Sequence, residues 1–125
     1  MTFGFAPDDG VVAHALVVVE IAAADGLGPG GPFSPGELAY AQDKSDPGRR
    51  LAARLAAKRA AQQALGGGFE LTDVEVVRHP GSAPALRLSV PAQARLVAVG
   101  GARLLVSLTH GQTHAAAVVV ALRPS

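Results

Sequence analysis

Ala52-Ala53-Arg54-Leu55-Ala56-Ala57-Lys58-Arg59-Ala60-Ala61-Gln62-Gln63-Ala64-Leu65-Gly66 is the stretch on which the reading of this chain turns. Alanine is the best helix former, and Arg, Leu, Lys and Gln lose little rotamer freedom in a helix. The stretch therefore predicts one long helix. Asp46-Pro47 opens it with an N-cap and a proline at the first helical position, and Gly66-Gly67-Gly68 closes it. Arg50, Arg54 and Lys58 lie four apart on one face, with Arg59 beside them and only Asp46 as a nearby acid. Like charges at this spacing repel by about 0.2–0.5 kcal/mol per pair. The stripe has two readings. It is a solvated face, or it is an anion site, because arginine gives phosphate bidentate bonds. Nucleic acid fits poorly, since Phe69 is the one aromatic nearby.

Outward from this helix the remaining elements follow from local chemistry. Val11 to Ile21 is rich in β-branched residues and predicts a buried strand. Gly26 to Pro32 reads as a loop of glycine and proline. Ser34-Pro35-Gly36-Glu37 has the capping-box pattern and predicts a short helix to about Ala41. Strands are expected over Glu70 to His79 and Ala85 to Val90, with Pro80-Gly81-Ser82-Ala83-Pro84 as the turn. Ala92 to Val99 reads as a helix. Arg103 to Thr109 and Ala115 to Leu122 read as a hairpin turning at His110-Gly111-Gln112-Thr113. This order predicts an α+β fold, an antiparallel or mixed sheet packed on the long helix.

The 125 residues suit one domain, with residues 1–10 as a loose lead-in, and 49% hydrophobic content supports a core. Eleven basic against 10 acidic residues leave a net charge of +1, so no general attraction to nucleic acid or membrane is expected. Without Cys there is no disulfide, thiolate zinc site or cysteine nucleophile. The apolar run Val11 to Ala24 is interrupted by His14 and Glu20 and is shorter than the about 20 residues of a membrane span. No basic region precedes it, so no signal peptide is expected, and the reading is a soluble, cytoplasmic protein. His110 and His114 flank a turn, which is poor geometry for a zinc pair. Tyr40, the one tyrosine, reads as a helix-packing residue.

Four blocks in order, over about residues 12 to 122, carry a resemblance. Phe33-Ser34-Pro35-Gly36-Glu37-Leu38-Ala39-Tyr40 is similar to F-T-x-x-E-L-x-Y. Arg49 to Gly66 is similar to R-x-x-x-x-A-x-R-F-A-A-K-E-A-x-x-K-A-L-G. Gly81-Ser82-Ala83-Pro84 matches a G-x-P turn. Val106-Ser107-Leu108-Thr109-His110 with His114-Ala115-Ala116-Ala117-Val118-Val119 is similar to V-S-I-S-H…Y-A-x-A-x-V. Together they resemble the holo-acyl-carrier-protein synthases, the small type of 4′-phosphopantetheinyl transferase. The resemblance implies an α+β homotrimer with active sites between subunits. It also implies transfer of phosphopantetheine from coenzyme A to a serine of an acyl carrier protein, with Mg²⁺ bridging the coenzyme A diphosphate. It makes Arg54, Lys58, Arg59, Ser107 and His110 the candidate coenzyme A contacts, with Ser107 and His110 as candidate catalytic groups.

The departures fall on the metal. The family strand G-x-D-x-V-E-I carries a ligand Asp. With Val19-Glu20-Ile21 as anchor, that position is Val17. The second carboxylate, in K-E, is Arg59. The lysine four residues on is Gln63, and an arginine after the first strand falls near Ala23. Arg59 repels Mg²⁺ where the family attracts it. Glu20 is an odd step from Val17 on a strand, so it points to the other face and is no substitute. Resident Mg²⁺ is therefore not expected. Arg59 can neutralise a diphosphate directly but cannot act as a Lewis acid. Three functions are weighed. One is a pseudoenzyme that binds coenzyme A and/or an acyl carrier protein without Mg-dependent transfer. A second is an active transferase with an atypical metal site. The third is a repurposed cyclase, dehydratase or isomerase on a carrier-bound intermediate of polyketide or fatty-acid biosynthesis, using His110, Ser107 or Glu20 for acid–base chemistry.

Overall fold

The computed structural model describes residues 10–25, 27 and 31–125. Residues 1–9 of the expected lead-in lie outside the described residues, as do Gly26 and residues 28–30 of the expected loop. Strand β1 (Val11–Glu20) runs into a 3-10 turn (Ile21–Ala24). Helices α1 (Pro35–Gln42) and α2 (Pro47–Ala64) follow, then a second 3-10 turn (Leu71–Asp73). The chain continues through β2 (Val74–Val77), β3 (Ala85–Leu88), α3 (Val90–Ala98), β4 (Arg103–His110) and β5 (His114–Leu122). Two antiparallel sheets result, one ordered β1-β5-β4 and the other β2-β3. The fold is α+β.

α2 is the central element, packing against β1, β5, β4, α1 and β2. Its alanines explain why. Ala52, Ala56, Ala57, Ala60 and Ala61 are fully buried. Facing them are Ala115, Ala117, Val119 and Ala121 of β5 and Ala15 and Val19 of β1. Small side chains on both layers let backbone approach backbone. A helix enclosed on several sides needs apolar residues around most of its circumference rather than along one stripe. The outer face of the three-stranded sheet stays open and carries Val12, Leu16, Val18 and Leu105, all exposed.

The expected capping box is present. Glu37 N donates to Ser34 Oγ (3.1 Å) and Ser34 N donates to Glu37 Oε1 (2.8 Å). Two expectations need correction. Asp46 stands at the N-cap of α2, but its side chain does not cap; it accepts from Arg50 Nε at 3.1 Å. A guanidinium one turn on is the stronger partner for a carboxylate. Strand β2 begins at Val74, not Glu70. Glu70 N donates to Asp73 Oδ2 (2.7 Å), which closes a turn over Leu71–Asp73 before pairing starts. At the end of α2, Gly66 has φ +79° and Gly67 N donates to Gln62 O at 2.9 Å. This left-handed exit is the reason for glycine there.

Candidate functional site

Three helix or strand ends converge at one corner of the molecule. α1 contributes Tyr40, α2 contributes Arg50, Ala53 and Arg54, and β4 ends in Thr109 and His110. Arg78 enters from the segment after β2. They enclose a pocket of about 260 Å³. It continues into two neighbouring hollows that share Tyr40 and Arg78, one reaching Lys44 and His79, the other Glu75 and Arg87.

Arg54 decides the chemistry. It is 3% exposed, yet its Nε has no hydrogen-bond partner. Its Nη1 donates to Arg50 O at 3.4 Å, and its guanidinium lies 4.0 Å from the centre of the Tyr40 ring. Burial pulls its pKa below the ordinary value, the nearby Arg50 adds to that, and Tyr40 and Glu37 oppose it. Arginine remains protonated regardless. A buried donor of a charged group left unpaired costs more than a neutral one, so an acceptor reaching this guanidinium would be bound favourably. Two of the carboxylates around the pocket, Asp46 and Glu75, are already engaged, while Asp43 borders the adjoining hollow and is in no ion pair among the described residues. Asp46 accepts from Arg50 and its Oδ2 lies 4.0 Å from His110 Nε2. The Arg50 bond is the main cause of a lowered Asp46 pKa. Glu75 pairs with Arg87 (3.2 Å) and accepts from Ser34 Oγ (2.5 Å). Arg54 and Arg78 are in no ion pair among the described residues. Such a pocket suits a phosphate-sized anion.

Of the five residues expected to contact coenzyme A, the structure brings two together in this pocket, the buried Arg54 and the half-buried His110. Lys58 requires correction. It is not on an open basic stripe: its side chain is fully buried, with Nζ 2.8 Å from Glu37 Oε1. It donates to the carbonyls of Leu71 (3.3 Å) and Val74. Glu37 Oε2 also accepts from Val76 N at 2.7 Å. α1 and β2 close over that part of α2, so the ammonium serves the interior and does not line the pocket. Ser107 also lies elsewhere. Alternation along β4 turns Ser107 to the exposed face, opposite His110 three residues on. Arg59 is exposed, outside the pocket lining and in no ion pair among the described residues.

Val17 faces inward among the core residues, while Glu20, on the other face of β1, is exposed. Among the described residues no group of three or more His, Asp or Glu could hold a metal ion. Hydrocarbon at Val17 and a fixed cation at Arg59 do not fit Mg²⁺, a hard cation that requires oxygen ligands. No helix among the described residues is long and apolar enough to cross a membrane. Sequence reasoning missed Arg78 and the wall formed by Tyr40. Arg78 carries no local signal, being a lone base at a strand end. Tyr40 was visible as the one tyrosine and as the end of the first motif block, but it was read as a helix-packing residue.

The chain is similar to proteins of known kind. It is 37% identical over 92 residues to a holo-[acyl-carrier-protein] synthase of Koribacter versatilis, covering 70% of this chain and 74% of that one. Its fold matches the acyl carrier protein synthase AcpS of Mycobacterium tuberculosis with TM-score 0.73 and 32% identity, over 92% of this chain and all of that one. It also matches the coenzyme A complex of the synthase from Chronobacterium ammoniagenes, with TM-score 0.74 and 25% identity, over 90% and 98% of the two chains. No protein-family profile matches.

Proposed function

The chain belongs to the holo-[acyl-carrier-protein] synthase family, and from that premise we propose that it binds coenzyme A at the Arg54–His110 pocket and takes an acyl carrier protein as partner. The observation that carries this reading is the buried Arg54 with its unpartnered Nε, in a pocket shared with Arg50, Arg78 and His110. An anion is the chemistry such a pocket lacks. A related synthase has been solved with coenzyme A, which carries phosphates of that kind.

The same reading makes the protein a degenerate member for Mg-dependent transfer. Val17 and Arg59 replace the two carboxylates that the family resemblance places at the metal, and Gln63 replaces its lysine. Binding remains because Arg54 and His110 lie in a different part of the chain's surface from Val17, which is in the core. Self-association into a trimer is part of the proposal, supported by the open apolar sheet face of Val12, Leu16, Val18 and Leu105.

Isothermal titration with coenzyme A in EDTA tests the binding. Saturable heat without divalent metal is expected; no heat and no thermal shift overturn the reading. Incubation with coenzyme A, Mg²⁺ and several apo-carrier proteins tests the degeneracy, and a carrier that gains the phosphopantetheine mass refutes it. Sedimentation of the wild type against Val18→Glu tests the trimer, with a smaller species expected from the variant.

A further inference from the structure

We infer that Tyr40 is a positioning residue for the anion pocket, its ring face holding the Arg54 guanidinium where a carboxylate would otherwise be needed. The inference rests on the reading of this pocket as a phosphate site.

The pocket gathers positive charge with little to offset it. Arg50, Arg54, Arg78 and His110 line one small pocket, and a buried guanidinium requires some counterweight. A carboxylate would supply it, but it would also occupy the N–H edge and compete with an incoming anion. The structure uses a different partner. The Arg54 guanidinium lies over the Tyr40 ring at 4.0 Å, and the Lys44 ammonium lies over the same ring at 4.8 Å. The negative face of an aromatic ring attracts a cation without accepting its N–H bonds in plane. The guanidinium is thus held against the ring, 4.0 Å from its centre, while its buried Nε has no hydrogen-bond partner.

Tyr40 is suited to the task by its own anchoring. It sits on α1, whose first turn is fixed by the Ser34–Glu37 capping box. Glu37, one turn earlier on the same helix, is locked to Lys58 of α2 and to Val76 N of β2. The ring is therefore set in register with Arg54, which precedes Lys58 by one turn of α2. Tyr40 is also the side chain that, with Arg78, borders all three connected hollows.

The test compares wild type, Tyr40→Phe and Tyr40→Leu, each checked for folding by circular dichroism. The first readout is the Arg54 Nε–H resonance in ¹⁵N NMR, which needs no ligand. A ring-current shift is expected in wild type and in Tyr40→Phe, and its loss in Tyr40→Leu. The second readout is coenzyme A affinity by calorimetry. Tyr40→Leu should bind about tenfold more weakly, and Tyr40→Phe within about twofold of wild type.

An Arg54 signal without ring-current shift in wild type overturns the inference, even if the leucine variant does not fold. So does an unchanged signal in a folded Tyr40→Leu. A Tyr40→Phe protein that behaves like Tyr40→Leu overturns it too, because the hydroxyl rather than the ring face would then hold Arg54. If the Arg54 signal follows the ring but wild type binds no coenzyme A, the positioning of Arg54 by Tyr40 stands and the coenzyme A reading falls.

Discussion

Replacing Arg54 with methionine separates binding from stability. The substitution keeps an unbranched side chain of similar reach at a site that is 3% exposed, while removing the charge and the unpartnered Nε. Removing a buried unsatisfied donor relieves about 1–3 kcal/mol. The lost attraction to the Tyr40 ring, at 4.0 Å, takes back about 0.5–2 kcal/mol. The long bond from Nη1 to Arg50 O, at 3.4 Å, adds little to the loss. The net change in unfolding free energy should therefore lie within about 1 kcal/mol of wild type. Binding should respond very differently. A hydrogen bond between a charged group and phosphate is worth about 1.5–3 kcal/mol, which is about 10- to 150-fold in affinity. Urea denaturation and coenzyme A calorimetry on the same two proteins measure both terms. A variant that binds as tightly as wild type and loses several kcal/mol of stability would refute the reasoning, because Arg54 would then be a structural residue.

Three further outcomes are expected. Glu37→Gln leaves the buried Lys58 ammonium unpaired and should cost about 3–5 kcal/mol in urea denaturation, with Glu37→Gln/Lys58→Met recovering most of it; additive losses in the double variant would contradict this. Asp46 and Asp73 are held below the ordinary carboxylate value, chiefly by Arg50 and by Ser89 Oγ respectively. A depressed carboxyl contributes stability above its unfolded pKa of about 3.9 and loses it as pH falls through the lower folded value. Stability should thus be level above about pH 5 and decline below about pH 4, less steeply in Asp46→Asn/Asp73→Asn, as followed by circular dichroism; stability that rises on acidification would be the contrary result. Gly66→Ala places a side chain at φ +79°, with the new Cβ 3.1 Å from Arg95 Nη2, and should cost about 1 kcal/mol or more in thermal unfolding. An unchanged midpoint would show that the α2 exit does not need glycine.

The order of elements was legible because its signals act over a few residues. Ser34 and Glu37 cap α1, and Pro47 and Gly66 mark the ends of α2. The abundance of β-branched residues carried β1, and β5 was read as one arm of the closing hairpin. Arg54 and His110 were legible through the family resemblance and do share a pocket. Lys58 and Ser107 came from the same motifs, yet neither lines it. Motif spacing ranks residues along an element but does not say what packs against each face. Asp46 shows the same limit at short range, since the identity of its partner depended on where Arg50 turned.

What the sequence determined by itself was the set of helices and strands, the family, and the absence of carboxylates at Val17 and Arg59. Those follow from residue identity and local geometry. What only the tertiary structure decided was the role of each cation on α2. Arg54 and Lys58 are one helical turn apart on the same face, and sequence treats them alike. The closure of α1 and β2 over one turn supplies Lys58 with Glu37 and two carbonyls. One turn earlier the cover is the Tyr40 ring, 4.0 Å from the guanidinium, and Arg54 has no carboxylate partner and an Nε without a hydrogen bond. The difference between a structural ion pair and a candidate binding site lies in the partner brought from elsewhere in the chain, and helix periodicity carries no information about that partner.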